Sequence, residues 1–163
     1  MAIIAANLAF YLTGGAANAD AALSLGGVIS STAFTDNTLQ NLFANVTPAE
    51  ALAGSVKYRA LSFKNLAAET AYAAVIFLSQ ETTSADTTVA IAYDATGTQS
   101  VVNENTAPAG LTFTTPLSLA AGIALGDAAA SGVKRVWFRR TVLAGATAAS
   151  DQGKFKVTVG SAP

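Results

Sequence analysis

The chain contains no cysteine and no histidine among its 163 residues. Without cysteine it has no disulfides, thiol nucleophiles or thiolate metal ligands, and without histidine it lacks the usual general base near neutral pH. Only carboxylates, hydroxyls, Lys, Arg and Tyr are left for chemistry. We therefore predict that the chain is not an enzyme, and we predict no cofactor and no metal site.

Charge is also scarce, since 12% of the residues are charged while 52% are hydrophobic. An ordinary globular domain carries about twice that share of charge. A surface this neutral is typical of proteins that are covered in an assembly. The alternative is a β-sandwich with an exterior rich in Ala and Thr.

The formal net charge of −1 argues against a general nucleic-acid binder. The charges are unevenly distributed: residues 1–56 carry −3, residues 57–131 carry −3 and residues 132–163 carry +5. This split suits pairing between copies or with another protein, although ordinary scatter of surface charge would also produce it. No apolar run approaches the roughly 18 residues of a membrane span. The first basic residue is Lys57, so we predict no secretory signal.

Residues 1–54 are rich in Gly, Ala, Asn and Thr and show weak periodicity. Gly14-Gly15 and Gly26-Gly27 indicate turns rather than phosphate-binding loops, because no strand and long helix flank them. Thr47, Pro48 and Glu50 have the spacing of a helix start with a capping box, and Gly54 would end that helix. We predict an N-terminal arm or wrapping segment over 1–54; the alternative is edge strands and long loops of the same domain.

Residues 55–160 show a succession of strand patterns separated by Gly, Asn, Asp and Pro, without convincing helical spacing. Short strands at such intervals indicate an antiparallel β-sandwich, immunoglobulin-like or jelly-roll-like, rather than a parallel sheet. Residues 161–163 are predicted to be a short tail. The predicted strands span residues 56–64, 71–78, 87–93, 117–125, 133–142 and 155–159.

Three carboxylates in or beside predicted loops, Asp86, Asp94 and Glu104, are possible ligands for Ca²⁺ or acids for glycoside hydrolysis. Their spacing matches no calcium loop, so we interpret them as solvated loop residues. Exposed aromatic residues such as Tyr93 or Trp137 would serve a carbohydrate-binding module.

The most distinctive cluster is Trp137-Phe138-Arg139-Arg140, because an exposed Trp beside Arg is typical of an interface anchor. The alternative, which we favour for Trp137 itself, is packing against a neighbouring strand, with at least one arginine contacting a partner. The candidate assembly interface comprises Phe10, Tyr11, Leu12, Trp137, Arg139 and Arg140.

Seven phrases of the sequence form a pattern: LTGGAANAD from Leu12, SLGGVIS from Ser24, NLFANV from Asn41, AEALAG from Ala49, YRALSFKN from Tyr58, ENTAPAGLTF from Glu104 and VWFRRTV from Val136. Together these phrases resemble a group of tailed-bacteriophage virion proteins. The order of strand, Lys64-Asn65, apolar strand and late Trp-containing strand also resembles immunoglobulin-like sandwiches, in which the Asn ends a strand at a turn.

The resemblance implies a structural protein of the phage particle, and within that group a capsid decoration (cement) protein. Its implied partners are the major capsid protein and copies of itself in a homo-oligomer, without direct contact to nucleic acid or membrane. Its implied location is the virion, after synthesis in the host bacterial cytoplasm. A tail or baseplate component and a carbohydrate-binding β-sandwich remain alternatives. No catalytic residues follow from the resemblance.

Overall fold

Strands dominate the computed structural model of the chain, which describes residues 3–149 and 151–160. About 42% of the structure is strand and 8% is helix, which confirms the predicted all-β class. The described elements are β1 (Leu8–Thr13), β2 (Ile29–Ala33), α1 (Pro48–Ala53), β3 (Ser55–Asn65), β4 (Ala71–Gln80), β5 (Thr87–Asp94), β6 (Ile123–Ala128), β7 (Val133–Val142) and β8 (Lys154–Gly160), with 3-10 turns at Ala5–Asn7 and Ala21–Leu23.

The strands form two antiparallel sheets. The larger sheet has the order β2-β1-β3-β7-β5, and the smaller sheet has the order β6-β4-β8. The long pairing of β3 with β7 runs from Ser55 opposite Val142 to Lys64 opposite Val133 and forms the middle of the larger sheet. The predicted antiparallel sandwich is therefore confirmed.

The main core lies between the two sheets, because strand alternation turns one row of each strand inward. Leu61 and Phe63 of β3 face Ile76 and Leu78 of β4, and all four side chains are at most 1% exposed. Burying each such side chain contributes about 1.5–3 kcal/mol. This row, continued by residues of β6, β7 and β8, holds the two sheets together.

A second, smaller cluster covers the opposite face of the larger sheet. There Tyr58, Ala60, Ala92 and Trp137 are buried beneath the connection between β5 and β6, which contributes Val101, Leu111 and Phe113. Thr114 of the same connection pairs with Ile91, and Leu78 donates its N–H to the carbonyl of Pro116. The connection therefore covers the outer face of the larger sheet and then bonds to strands of both sheets.

For five of the six predicted strands, both ends lie within two residues of the ends of a strand in the structure. The exception is residues 117–125, where the strand begins only at Ile123. Ala121 and Gly122 donate their N–H groups to Ser118 and Leu119, which makes turns of this stretch. The shared parity of Leu117 and Leu119 was therefore misleading, and both side chains are exposed.

Two local predictions are confirmed in detail. Thr47 caps α1, because its hydroxyl accepts the N–H of Glu50 at 3.2 Å and the Glu50 carboxylate accepts the N–H of Thr47 at 2.8 Å. Asn65 is the last residue of β3, and its side-chain amide donates to the carbonyls of Glu69 and Ala128. Its side-chain oxygen accepts the N–H of Ala67, so this residue stabilises the turn into β4.

The segment 1–54 contributes two strands to the larger sheet. β1 pairs with β3 from Leu8 opposite Asn65 to Tyr11 opposite Ser62, and β2 pairs with β1. The separate arm over 1–54 stays a prediction, but β1 and β2 belong to the same sheet as the strands that follow residue 54. The predicted tail, 161–163, lies outside the described residues.

In the part of the chain that the structure describes, no helix has the length and apolar character needed to cross a lipid bilayer.

Candidate interaction surface

Strand alternation divides the six predicted interface residues between opposite faces of the larger sheet. Phe10 and Leu12 of β1 face the main core. On β7, Arg140 lies two residues after Phe138 and therefore points to the same inward side. Tyr11, Trp137 and Arg139 point to the other side. The six side chains therefore do not form one surface patch.

Trp137 is fully buried, which agrees with the strand-packing interpretation and corrects its place in the candidate interface. Its ring lies under the connection that follows β5. A Cβ atom on Gly26 would come within 2.7 Å of Cζ2 of Trp137, so the backbone of residue 26 lies directly against the ring. Because 0% of the side chain is exposed, the folded chain leaves no Trp137 surface for a partner or a sugar.

Leu12 is also buried, at 4% exposure, so it too is unavailable as a surface contact. Phe10 is half-buried, with its ring 5.6 Å from that of Phe63 and 5.1 Å from that of Phe155. These contacts assign both residues to the core between the sheets. The sequence missed this because the apolar run at 9–12 is short and lies in a stretch with weak periodicity.

Arg140 belongs to a charged cluster at the end of the larger sheet where β3 begins and β7 ends. Its guanidinium donates to the carbonyl of Ala44 at 2.5 Å and to Glu50 at 3.4 Å, and it lies 5.2 Å from the ring centre of Phe43. Only 7% of Arg140 is exposed. It therefore holds the 43–50 segment onto the sheet instead of presenting charge to a partner.

Lys57 connects the two carboxylates of this cluster. Its ammonium group lies 2.7 Å from Glu50 and 2.9 Å from Glu104, and Arg59 also pairs with Glu104. Burial alone would raise the pKa of Glu50, but hydrogen bonds from Lys57 and Thr47 outweigh it and lower that pKa from 4.5 to about 2. In Glu104, burial likewise opposes a larger lowering of the pKa by Lys57 and Arg59. Both carboxylates are therefore held ionised as structural anions.

Tyr11 and Arg139 are the predicted interface residues that keep accessible surface on the outer face of the larger sheet. The ring of Tyr11 lies 5.7 Å from the ammonium group of Lys64. The guanidinium of Arg139 lies 5.2 Å from the ring centre of Phe113. For these two residues, an interface role stays a prediction.

The carboxylates considered for metal or acid catalysis each bond within the fold. Asp94 is 2% exposed and accepts the N–H groups of Thr96, Gly97 and Gln99, which closes the turn after β5. Burial would raise the pKa of Asp94, and these bonds, with the Thr96 hydroxyl, lower it instead. Asp86 accepts both the N–H and the hydroxyl of Thr147. Among the described residues there is no group of three acidic side chains that could hold a metal ion.

Tyr93, the other aromatic residue considered for carbohydrate binding, packs against the main core from the end of β5. It is half-buried and does not stand on an open face.

Exposed apolar side chains are the surface feature that sequence reasoning missed. Leu52 is 77% exposed at the end of α1, and Leu143 is 53% exposed just after β7. The two segments adjoin, because Gly145 donates its N–H to the carbonyl of Ala51 at 2.8 Å. Leu117 and Leu119 are exposed in the connection that precedes β6. These leucines lie in a short helix, a turn and loop segments, where strand periodicity gives no signal.

Comparison with known proteins found no match: no family model, no curated protein and no solved structure is similar to this chain.

Proposed function

We propose that this protein is a structural component of a tailed-phage particle, a capsid decoration protein that binds the major capsid protein and copies of itself. The proposal rests on the sequence phrases that resemble phage virion proteins and on the character of the folded surface. In this role the chain stabilises the shell through protein–protein contacts and performs no chemistry.

The observation that carries the proposal is that several charged side chains are buried while several large apolar side chains are exposed. Arg59, Arg135 and Arg140 are at most 7% exposed. Several large apolar side chains are more than half exposed, with Val102 at 90% and Leu52 at 77%. A chain with only 12% charged residues thus uses some of its charge inside the fold. A surface with few charged and several exposed apolar side chains favours broad contacts with other proteins.

The relative energies favour apolar attachment over ionic attachment. A standard interface buries about 1,600 Å² in total, and apolar burial contributes roughly 25 cal/mol per Å² before association costs. An exposed ion pair contributes only about 0–1 kcal/mol and is screened within about 10 Å at 0.1 M salt. Residues 132–163 carry a net charge of +5, but Arg135 and Arg140 are buried, so less of this positive charge is available at the surface. Attachment should therefore depend weakly on salt.

A salt series on purified particles tests the proposal. We expect the protein to copurify with the particles and to stay bound at about 1 M salt, where the Debye length is about 3 Å. Release at moderate salt would show that charge holds the protein, and absence from the particles would contradict the proposal itself.

Arg139→Ala should weaken attachment only modestly, because Arg139 keeps part of its surface and its main contact is Phe113. Lys64→Ala, on the same face beside Tyr11, is the charge-matched control. The bound fraction of each variant is read from the same gradients, alongside the melting temperature of the free protein. A complete loss of attachment in Arg139→Ala with an unchanged melting temperature would make this arginine the main anchor. It would contradict the claim that apolar burial contributes more to attachment than charged contacts do.

A further inference from the structure

The free edge of β8 carries main-chain groups that have no partner among the described residues. β8 pairs only with β4, and the N–H of Leu78 on β4 is directed away from β8 to the carbonyl of Pro116. In an antiparallel pair, opposite residues alternate between bonded and non-bonded positions. Phe155 opposite Leu78 and Val157 opposite Ile76 are therefore non-bonded, so their N–H and C=O groups point to the free edge. No described segment bonds to them there.

The inward row of β8 is incompletely covered. Phe155, Val157 and Val159 pack against the main core yet remain partly exposed, whereas Ile76 and Leu78 on the adjacent β4 are at most 1% exposed. Phe155 contacts three aromatic rings, with ring centres 4.6 Å apart for Phe138, 5.1 Å apart for Phe10 and 6.1 Å apart for Phe34. An additional strand with apolar side chains on its inner face would complete this burial.

The outward row of β8 is basic. Lys154 and Lys156 are exposed, two residues apart on one face, and neither forms an ion pair within the described ranges. A strand that pairs here gains from acidic side chains on the same outer face. Pairing of β8 with β8 of a second copy would instead bring lysines close to lysines, which is unfavourable.

We propose that this β8 edge surface, formed by the free edge of Lys154–Gly160 with its inward apolar and outward lysine rows, binds an extended segment of a partner protein. The segment alternates apolar and acidic residues and adds to the smaller sheet as a fourth strand. Main-chain bonds supply affinity, and the two lysines select the charge of the partner. The proposal deepens the assembly function and rests on it, since the segment belongs to a neighbouring particle protein.

A synthetic peptide of about eight residues that alternates Glu and Val, a typical strand length, is the probe. Titration followed by NMR should shift the resonances of β8, and the amides of Phe155 and Val157 should exchange more slowly with solvent when the peptide is bound. The double variant Lys154→Glu, Lys156→Glu should weaken binding about tenfold. Lys134→Glu on β7, the same substitution at one site away from this edge, should leave binding unchanged.

Val157→Pro removes an N–H that faces the free edge while keeping the bonds between β8 and β4, so it should also abolish binding. If that variant does not fold, the lysine variants alone decide the question. No binding, or equal binding of a peptide that alternates Lys and Val, would overturn the proposal. The two lysines would then serve to prevent unwanted pairing of an exposed edge strand. Dimerisation that Val157→Pro abolishes would overturn it in favour of a second copy.

The two proposals fail separately. Peptide binding by a protein that is absent from particles would contradict the assembly function alone. A protein that is present on particles but does not bind the peptide would contradict only the β8 edge proposal.

Discussion

Gly26→Ala should destabilise the protein far more than an alanine substitution at another glycine of similar backbone conformation. Gly26 has a φ of +88°, and a Cβ there would lie 2.1 Å from the carbonyl oxygen of Gln99 and 2.7 Å from Trp137. Gly110 has a φ of +68°, and a Cβ there would have no atom within 4 Å, which makes Gly110→Ala the matched control. The two substitutions therefore share backbone strain and differ in the space available.

Left-handed backbone conformation costs an L-residue about 1–2 kcal/mol. Overpacking against groups that cannot move away adds typically 1–3 kcal/mol. We therefore expect Gly110→Ala to lower the free energy of unfolding by about 1–2 kcal/mol and Gly26→Ala by about 2–5 kcal/mol. Urea unfolding followed by Trp137 fluorescence measures both. Equal losses in the two variants would refute the close packing of residue 26 on the buried ring.

Two further predictions concern the charged cluster and the N-terminal segment. Because the pKa of Glu50 is lowered to about 2, its stabilisation is complete above about pH 4.5 and is lost as the pH falls toward 2. It amounts to at most about 3 kcal/mol and less after solvent screening. Urea unfolding at a series of pH values should show a smaller acid-induced loss in Glu50→Gln than in the wild type, and a loss equal to that of the exposed control Asp36→Asn would contradict this. Deleting residues 1–30 should abolish cooperative unfolding, because the deletion removes β1 and the buried Leu12. Truncating a buried leucine to alanine alone costs about 2–5 kcal/mol. A truncated protein that still folds cooperatively would support the predicted arm.

The sandwich was predictable because its strands carry the pattern that two-sided burial requires. The alternation in β8 and the nearly continuous apolar run of β4 are local signals, and so are the Thr47 cap and the Asn65 turn. Burial in β1 was harder to predict, because it depends on pairing with β3 about 50 residues away. Nothing in a short, Gly-flanked apolar run specifies such a partner.

The candidate site was less predictable than the fold. Trp137 and Arg140 stand out in the sequence, but burial depends on what covers them. The 95–113 connection covers Trp137, and the segment around Phe43 and Ala44 covers Arg140. Both covering segments are irregular and polar in part, so the sequence gives no periodic signal for their positions. The β8 edge, by contrast, follows from strand order, which the strand patterns alone do not determine.

The proposed decoration function is tested most directly by electron microscopy of tailed-phage particles purified from the cells that produce this protein. We expect density for the two-sheet fold on the outer surface of the capsid, in contact with the major capsid protein and with neighbouring copies. Density for this fold in the tail or baseplate, or its absence from the particle, would contradict the assignment as a decoration protein.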